Sequence, residues 1–480
     1  MKKLIIGILA ICNIGWSFTQ ENKWTLAECI QHALDRNITI NQRKLNNELS
    51  EITLEQSRAD LLPNLTASGS QSWNFGRSVD PYTNDYVSTN VGSNNFGLST
   101  SVTLFDGLQS INTIKKNQID VESGTLDLEQ TKNDIILSVT QAYLQVLFAY
   151  EQVENASISL ESTAAQVERT QKLVNAGSSP EGDLFKINSQ LASDQYSLVN
   201  AENQLSLAKV NLMQIMELPV EEEFDIVIPD FDIATTGIDF PDSSNEIYAK
   251  ALEVQPEIES SQLKVASAEQ SLKIAKGALY PRLSLSGSFG TGYSNARTMR
   301  LYEDPVTEIQ EIGYVQSAGP SEVVVTERTY APSQIVDYDF ADQIMDNLNE
   351  SVRLNLSIPI FNRFQAKNNI SRSKINVETA QLDRQNTENQ LRKTIEQAYN
   401  DLVSSAKNYD AAVQQLKSLE RSYSDTERKY ELGMVNATDY LIEKNNFENS
   451  KYSLTRAKYE YIFTYKILDF YQGNPITFDN

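Results

Sequence analysis

The chain has little of the chemistry from which most catalytic and metal sites are built. In 480 residues it has one histidine, His32, and two cysteines, Cys12 and Cys29. A histidine-based catalytic triad would depend on His32 alone, and a zinc site needs more ligands than Cys29 and His32 supply. The sequence therefore predicts no catalytic residue, no cofactor and no metal centre, and it predicts a half-buried helix face around His32.

Long apolar runs and basic residues are also scarce. Beyond the N-terminus, no segment approaches the roughly 18 apolar residues that a transmembrane helix requires, so any membrane span is expected to consist of strands. Acidic side chains number 64 and basic ones 41, which gives a net charge of −23. This surplus of negative charge argues against a nucleic-acid partner, because phosphate backbones are bound by Lys and Arg.

The N-terminus has the pattern of a secretory signal. Residues 1–3 carry two lysines, residues 4–14 form a short apolar core, and residues 17–19 offer small side chains for cleavage before position 20. We therefore expect residues 1–19 to be a signal peptide and the mature chain to be exported. Lipidation through Cys12 is the alternative, which the large preceding side chain disfavours.

The most informative pattern is a duplication of the chain. Residues 33–65 resemble residues 251–283 without a gap, so that Pro63 corresponds to Pro281. Farther along, three pairs of motifs share a second constant spacing: Leu104-Phe105-Asp106 with Ile360-Phe361-Asn362, Gln141-Ala142-Tyr143 with Gln397-Ala398-Tyr399, and Gly177 plus Asp183 with Gly433 plus Asp439. Such a long-period repeat indicates one structural unit used twice. The predicted organisation is a first repeat at 20–217, an acidic linker at 218–245, a second repeat at 246–470 and a tail at 471–480.

Each repeat contains two segments in which apolar or small residues alternate with polar ones. This period predicts strands at about 64–74 and 95–105 in the first repeat, and at about 282–292 and 351–361 in the second. Faces rich in Ser, Thr and Asn suit a wet lumen, and the pattern is typical of an outer-membrane barrel, although each strand alone would also fit a soluble sandwich. Segment 293–349, with its three prolines, is predicted to be a long extracellular loop.

Aromatic residues lie where membrane-interface girdles would be expected. The predicted girdle residues are Trp73, Phe75, Phe96 and Phe289 at one end of the strands, and Phe105 and Phe361 at the other.

The rest of each repeat is predicted to be helical. A leading helix is followed by long helices at 107–176 and 182–217 in the first repeat, and at 364–432 and 438–470 in the second. Apolar residues between positions 135 and 160 recur at spacings of four and three, which is typical of coiled coils. A helix of this length would measure on the order of 100 Å.

The helices reverse direction at two related turns. Gly177 and Gly433 fit left-handed C-terminal caps, while Asp183 and Asp439 fit the N-cap or the first turn of the next helix. Four strands cannot close a membrane barrel and an open sheet edge cannot exist in lipid, so two, three or four copies are expected to assemble. Carboxylates collected at the turns would then favour cations in a narrow entrance.

These features resemble the TolC family of outer-membrane efflux channels, and especially the branch found in Bacteroidetes. The resemblance rests on the duplicated Ala-Leu…Leu-Pro-x-Leu segments, on the Gly-x5-Asp turns, and on the motifs Phe75-Gly76-Arg77-Ser78-Val79-Asp80-Pro81, Ser93-Asn94-Asn95-Phe96 and Thr103-Leu104-Phe105-Asp106-Gly107. It implies an α+β membrane protein with two tandem repeats, assembled as a homotrimer with a 12-stranded barrel and a periplasmic α-helical tunnel. It further implies an outer-membrane export duct of a tripartite efflux pump or a type I secretion system. The implied partners are outer-membrane lipid, a periplasmic adaptor protein and an inner-membrane transporter of the RND, ABC or MFS type.

The resemblance also assigns gate residues. Asp183 and Asp439 match the family's entrance aspartates, and Tyr430 matches a gating tyrosine. The family's second entrance aspartate falls on Ile442, with Glu443 adjacent, and its gating arginine falls on Val435. A coiled-coil surface adhesin without a channel is the alternative interpretation, and an enzyme is the least favoured.

Overall fold

The computed structural model describes residues 23–79, 84, 86–87, 90–229, 243–316 and 319–476, so the predicted signal peptide lies outside the described residues. The helices are α1 Leu26–Arg36, α2 Ile38–Ala59, α3 Gln109–Asn175, α4 Glu181–Ile215, α5 Ser244–Val254, α6 Pro256–Gly277, α7 Phe340–Asp346, α8 Gln365–Glu431 and α9 Ala437–Tyr471. The strands are β1 Lys23–Trp24, β2 Asn64–Asn74, β3 Ser78–Val79, β4 Tyr86–Val87, β5 Val91–Phe105, β6 Asp225–Ile226, β7 Arg282–Ser294, β8 Thr298–Tyr302, β9 Val306–Val315, β10 Glu322–Tyr330, β11 Ser333–Asp337 and β12 Asn349–Ser357.

The duplication in the sequence is reproduced in the lengths of the helices. Helices α1 and α5 have 11 residues each, α2 and α6 have 22, α3 and α8 have 67, and α4 and α9 have 35. Equivalent residues differ in number by 218 before the segment 293–349 and by 256 after it, as Pro63 with Pro281 and Gly177 with Gly433 illustrate. The long helices begin and end within two residues of the predicted positions.

The chain divides into two compact units. The first contains the described parts of residues 1–53, 117–268 and 375–480, and the second contains those of 54–116 and 269–374. The first unit holds α1, α5, α4, α9 and most of α3 and α8. The second unit holds the strands of the main sheet.

The first unit has two hydrophobic clusters, each built mainly from one repeat. One joins α1, α3 and α4 with Tyr459 and Phe470 of α9, and the other joins α5, α8 and α9. Four pairs of fully buried residues in the two clusters are equivalent by the duplication: Ala33 and Ala251, Val139 and Ile395, Val146 and Leu402, and Leu212 and Leu468. Val139 and Val146 lie one heptad apart on α3, and Ile395 and Leu402 lie one heptad apart on α8. The heptad positions of these helices therefore face the clusters, as the predicted coiled-coil pattern requires.

A buried amide recurs in both repeats at the junction between the two leading helices. The side chain of Asn37 donates to the carbonyl of Ile215 at 2.9 Å, and the side chain of Gln255 donates to the carbonyl of Tyr471 at 3.0 Å. Each amide therefore satisfies a carbonyl at the C-terminal end of a long helix, where intrahelical donors run out. The duplication thus extends to polar contacts inside the first unit.

The linker predicted at 218–245 is described as far as residue 229 and again from 243. Its strand β6 pairs in parallel with β1, and Ile226 packs in the same cluster as Ile476 from the C-terminal segment. His32 is half-buried, as predicted, with its ring 5.2 Å from that of Trp24.

The main sheet of the second unit is antiparallel and has the order β12-β7-β5-β2. Strands β2 and β5 form the hairpin of the first repeat, β7 and β12 form that of the second, and β5 pairs with β7. One strand prediction was too long: β12 ends at Ser357, so Ile358, Ile360 and Phe361 lie beyond it. Pro359 follows closely, and proline has no N–H to donate to a ladder.

The segment predicted as a 293–349 loop carries secondary structure of its own. Strands β8 and β11 pair with each other, β9 pairs with β10, and helix α7 precedes β12. Gln343 of α7 accepts from the backbone N–H of Ser294 and donates to its carbonyl, both at 3.0 Å, and Asn347 donates to the carbonyl of Gly292 at 2.6 Å. Helix α7 and its C-cap residue thus provide hydrogen-bond partners for the backbone at the end of β7. This end of β7 extends past the first residue of β12.

Candidate functional site

The main sheet has one apolar face and one polar face. By register and alternation, the apolar face carries Leu65 and Ala67 on β2, Phe96, Leu98 and Val102 on β5, Leu283, Leu285 and Phe289 on β7, and Val352, Leu354 and Leu356 on β12. The other face is made mostly of serines, with Arg353 and Asn355. All four strands place most of their apolar residues on the same side, so the alternation predicted from the sequence is a property of the sheet as a whole.

The apolar face is exposed in the chain as described. Leu65 is 75 %, Val352 is 82 % and Leu354 is 62 % accessible. An exposed apolar surface of this extent marks an interaction site with a partner or a membrane.

The predicted girdle aromatics do not all lie at the strand ends. Trp73 faces Gly92 at one end of the sheet, and Phe75 follows β2, but Phe96 and Phe289 lie on neighbouring rungs nearer the middle. Phe105 faces Leu283 at the opposite end. Phe361 lies outside the sheet, where its ring contacts that of Phe364 at 5.5 Å. Phe96 and Phe289 therefore lie at the border of the continuous apolar band, with polar rungs such as Asn94 with Gln71 between them and Trp73.

The two turns between long helices have the same backbone design. Gly177 and Gly433 have φ values of 73° and 70°, in the left-handed region that glycine adopts without strain. In the first turn, Ser178 donates to the carbonyl of Leu173 at 2.9 Å, and in the second Met434 donates to that of Lys429 at 2.8 Å. Together with the glycine N–H bonds, these contacts form two Schellman motifs, as the predicted C-caps require.

Asp183 and Asp439 lie in the first turns of α4 and α9 rather than at the N-caps. The carboxylate of Asp183 accepts from the Ser179 hydroxyl at 3.1 Å, and that of Asp439 accepts from the Asn436 amide at 3.0 Å. Asn436 is itself the N-cap of α9, whereas α4 begins after Pro180 without a side-chain cap. Each aspartate thus helps to begin a helix and leaves a negative charge close to the turn.

We call α3 with α4 the first helical hairpin and α8 with α9 the second helical hairpin. These two helical hairpins contact each other near their turns. Arg169 of α3 forms an ion pair with Glu431 of α8 at 2.9 Å, and Lys186 of α4 donates to the hydroxyl of Thr438 of α9 at 3.0 Å. The hydroxyl of Tyr430 lies 3.4 Å from that of Thr170. We call this set of contacts the tip contacts. Tyr430, the predicted gating tyrosine, is therefore one of the residues through which α8 touches α3.

Tyr430 also begins a column of four aromatic rings inside the second hairpin. Its ring stacks on Tyr440 with centroids 4.7 Å apart, Tyr440 lies 6.0 Å from Tyr423, and Tyr423 stacks on Phe447 at 5.1 Å. We call these four residues the aromatic column. Sequence reasoning identified only Tyr430, although a signal was present: Tyr423 and Tyr430 are one heptad apart, and so are Tyr440 and Phe447.

Two hydroxyls of the aromatic column have perturbed acidities. Burial raises the pKa of Tyr423 and of Tyr440 above the ordinary tyrosine value. The Tyr423 hydroxyl donates to the Glu427 carboxylate at 2.8 Å, and this hydrogen bond raises its pKa further. Both hydroxyls are therefore protonated at physiological pH and serve as hydrogen-bonding groups.

A buried lysine forms a second connection between the hairpins. Lys444 of α9 is 2 % accessible, and its ammonium donates to the hydroxyl of Thr163 at 2.6 Å and to the carbonyl of Ser159 at 3.2 Å, both on α3. Thr163 in turn donates to the Asp194 carboxylate of α4 at 2.5 Å. Desolvation lowers the pKa of Lys444, while the charge of Asp194 opposes that shift. We call Lys444, Thr163 and Asp194 the buried polar link.

The second level of the predicted entrance is occupied differently. Ile442 is exposed, and Glu443 accepts a hydrogen bond from the Ser422 hydroxyl at 2.9 Å within the second hairpin. Val435, at the position of the family's gating arginine, is partly buried. Glu443 therefore connects α9 to α8 through a hydrogen bond.

Within the described residues, no group of three or more His, Cys, Asp or Glu could hold a metal ion. Burial raises the pKa of the Cys29 thiol to about 12, so this thiol is protonated and unreactive. None of the described helices has a stretch apolar and long enough to cross a membrane.

A family model described as outer membrane efflux protein matches residues 29–216 and 247–474, which correspond to the two repeats. The fold is also that of a solved channel. The outer membrane channel CmeC of Campylobacter jejuni superimposes with a TM-score of 0.72 at 18% identity, covering 92% of this chain and 84% of that chain. The chain belongs to the outer membrane efflux protein family, which confirms the resemblance to TolC and the α+β fold with two repeats.

Two characterised relatives match over shorter stretches. The pyoverdine export outer membrane protein OpmQ of Pseudomonas putida is 28% identical over 119 residues, which are 25% of this chain and 24% of OpmQ. The outer membrane efflux protein BepC of Brucella suis is 21% identical over 265 residues, which are 55% of this chain and 54% of BepC. The matches thus span about a quarter of the length of one relative and about half that of the other.

Proposed function

We propose that this protein is an outer-membrane export duct of a Gram-negative bacterium, a passive conduit from the periplasm to the exterior that serves an efflux pump or a type I secretion system. The observation that carries the proposal is the main sheet, because it joins an exposed apolar face, a serine-rich face and two edge strands. The exposed apolar face is unfavourable in water. The unpaired edge strands are unfavourable in lipid unless copies of the chain pair with each other through these edges.

The height of the apolar band supports a membrane location. From Phe96 to Phe105, β5 crosses eight rungs of its ladder with β7, because Leu104 lies in a bulge; at about 3.3 Å each, these rungs span about 26 Å along the strand. With a strand tilt of about 40°, the height is about 20 Å, comparable with the ~25 Å apolar belt of outer-membrane barrels. In this proposal Phe96 and Phe289 meet one lipid interface and Phe105 meets the other, while Trp73 and Phe75 extend beyond it.

The family relationship and the number of strands support assembly as a homotrimer. Four strands per chain fall short of the eight that a small membrane barrel needs, and three copies would supply twelve. The long hairpins would form the periplasmic conduit. By the same family relationship, the duct would receive cargo from a periplasmic adaptor and an inner-membrane transporter of the RND, ABC or MFS type, and it would carry out no catalysis.

The gate is proposed at the tip contacts. Asp183, Asp439, Tyr430 and Glu443 lie on the turns or on the helices that lead to them, and the tip contacts fix one hairpin against the other. Carboxylates near an entrance would favour cations in the conduit. Replacing Asp183 and Asp439 together by Ala is expected to weaken cation selectivity.

Reconstitution in planar lipid bilayers tests the proposed function. Purified protein in detergent is expected to insert and to give discrete, cation-selective current steps, and electron microscopy of the same sample should show three copies around one axis. A coiled-coil adhesin would instead give rods without current. That result would overturn the proposal.

A further inference from the structure

We infer that a second copy of this chain adds its β2 to the edge strand β12 in one defined register. The strand pairings within a single chain determine this register. The inference rests on the proposed membrane assembly and goes beyond it by naming the residues that face each other. Its basis is the equivalence of the two repeats at every strand pairing that can be compared.

The two hairpins of the main sheet have identical registers under the duplication. In the first, Asn64 pairs with Ser101 and Ser72 pairs with Ser93. Adding 218 to the first strand and 256 to the second gives residues 282 with 357 and 290 with 349. These are the observed pairs Arg282 with Ser357 and Gly290 with Asn349. The equivalence therefore holds over the full shared length of both hairpins.

One further pairing exists within the chain, between the hairpins. Strand β5 is the second strand of the first repeat, and it pairs with β7, the first strand of the second repeat. The equivalent junction after the second repeat would join β12 to the first strand of a first repeat. Within the described residues β12 and β2 are the two edges of the sheet, so the required β2 must come from another copy.

The β5–β7 register then gives the register between copies. The observed pairs Asn95 with Gly292, Leu98 with Phe289, Ser99 with Ser288 and Ser101 with Ser286 are translated by the two residue differences. The resulting pairs between β12 and the β2 of the neighbouring copy are Ser351 with Asn74, Leu354 with Gln71, Asn355 with Ser70 and Ser357 with Ser68.

This register also keeps the faces of the sheet continuous. It places Val352 opposite Trp73 of the neighbouring copy on the apolar face, where a β-branched and an aromatic side chain stabilise each other across strands. It places Asn355 opposite Ser70 on the serine-rich face. A shift by one residue would turn the apolar residues of one copy to the polar face of the other, so only shifts by two compete with it.

Disulfide cross-linking separates these registers. In a background with Cys12→Ser and Cys29→Ser, Asn355→Cys is combined with Ser68→Cys, Ser70→Cys or Ser72→Cys, three identical substitutions on one face of β2. Directly opposed Cβ atoms lie about 4.5–5.5 Å apart and diagonal ones about 7–8 Å, whereas a disulfide requires roughly 3.5–4.5 Å. The intrachain pair Ser99→Cys with Ser288→Cys is the positive control, because it is the equivalent pair within one chain.

After oxidation with copper phenanthroline in the outer membrane, Asn355→Cys with Ser70→Cys is expected to give covalent oligomers on non-reducing gels several-fold faster than either shifted pair. The control pair should remain a single-chain band with faster migration. Preferential cross-linking through Ser68→Cys or Ser72→Cys would overturn the register, even if the background variant still conducts. A conducting variant in which no pair cross-links would overturn the β12–β2 contact, and one that neither conducts nor cross-links would overturn the proposed function as well.

Discussion

The two helical hairpins of this chain have the same lengths and the same buried core, yet they differ near their turns. At four equivalent positions, the first hairpin has Val167, Val174, Leu184 and Leu191, whereas the second has Tyr423, Tyr430, Tyr440 and Phe447. The aliphatic set packs without directional contacts. The aromatic set stacks in a column and carries hydroxyls that reach Thr170 and Glu427.

The buried polar link is asymmetric in the same region. Lys444 corresponds to Asn188 in the first hairpin, and Asp194 corresponds to Ser450 in the second. Because Lys444 and Asp194 belong to different hairpins, neither charge has a copy elsewhere in the chain. The duplication is thus retained where the hairpins build their cores and has diverged where they meet. The differences between the two helical hairpins are therefore concentrated where the hairpins meet.

The largest effect is expected from Lys444→Met. The substitution keeps the length of the side chain but leaves the Thr163–Asp194 pair without its cationic partner in a buried site, at a cost of about 3 kcal/mol. Thermal unfolding in detergent should show a lowered midpoint. Asn188→Met at the equivalent exposed position is the matched control and should change the midpoint little. If both substitutions lower the midpoint equally, the ammonium of Lys444 does not stabilise the protein through the buried polar link.

Tyr440→Leu comes next, because it gives the second hairpin the residue that the first has at Leu184. Two ring contacts are lost, with Tyr430 and with Tyr423, and aromatic pairs contribute about 0.5–1.5 kcal/mol each. We expect a loss of about 2 kcal/mol in stability. Leu184→Met, a volume-conserving change in the first hairpin, should cost below about 1.5 kcal/mol. A smaller cost for Tyr440→Leu than for Leu184→Met would show that the aromatic column is ordinary packing.

The aromatic column should also make stability depend on alkaline pH. The folded-state pKa of Tyr423 lies above its unfolded value near 10, so its contribution is complete below about pH 10 and is lost as the pH rises further. Each raised tyrosine can contribute at most about 1.4 kcal/mol per pH unit. Unfolding midpoints measured across this range should fall less steeply for Tyr423→Phe than for the parent protein. Parallel pH profiles of the two proteins would contradict the assignment.

The smallest effect is expected from Arg169→Ala. The Arg169–Glu431 pair is exposed at both partners, so solvent screens it and its loss should cost below about 1 kcal/mol. The double variant with Glu431→Ala should be no less stable than either single variant, and added salt should reduce the difference. If Arg169→Ala lowers the stability as much as Lys444→Met does, the exposed ion pair contributes as much as the buried polar link to holding the helical hairpins together.

Much of the fold could be predicted because it depends on local periodicity. The heptad pattern in the first repeat, together with the duplication, predicted the long helices, and the alternation predicted β2, β5 and β7. Pro305, Pro320 and Pro332 were interpreted as marks of a loop, but they lie between strands β8 and β9, β9 and β10, and β10 and β11. Prolines that separate short strands look the same in a sequence as prolines in an irregular segment.

The site was less predictable because its contacts join distant parts of the chain. Lys444 and Thr163 are 281 positions apart, and Arg169 and Glu431 are 262 apart. The periodicity of one helix shows which face is buried but not which helix covers it. Asp183 and Asp439 were found through the duplicated turns, and Tyr430 was found through the family resemblance. Lys444 and Asp194 have no such guide, since a lysine or an aspartate on a helix is usually exposed.

The proposed gate is tested most directly by the single-channel current of the variant Tyr430→Val with Tyr440→Leu, which makes these two positions of the second helical hairpin aliphatic like those of the first. If the aromatic column and the tip contacts hold the entrance closed, this variant should conduct clearly more current than the parent protein under the same salt and voltage. Val174→Ala with Leu184→Met, at the equivalent positions of the first hairpin, should leave the current near the parent value. An unchanged current for the aliphatic variant, in protein that still inserts and assembles, would contradict a gate held by the aromatic column and the tip contacts.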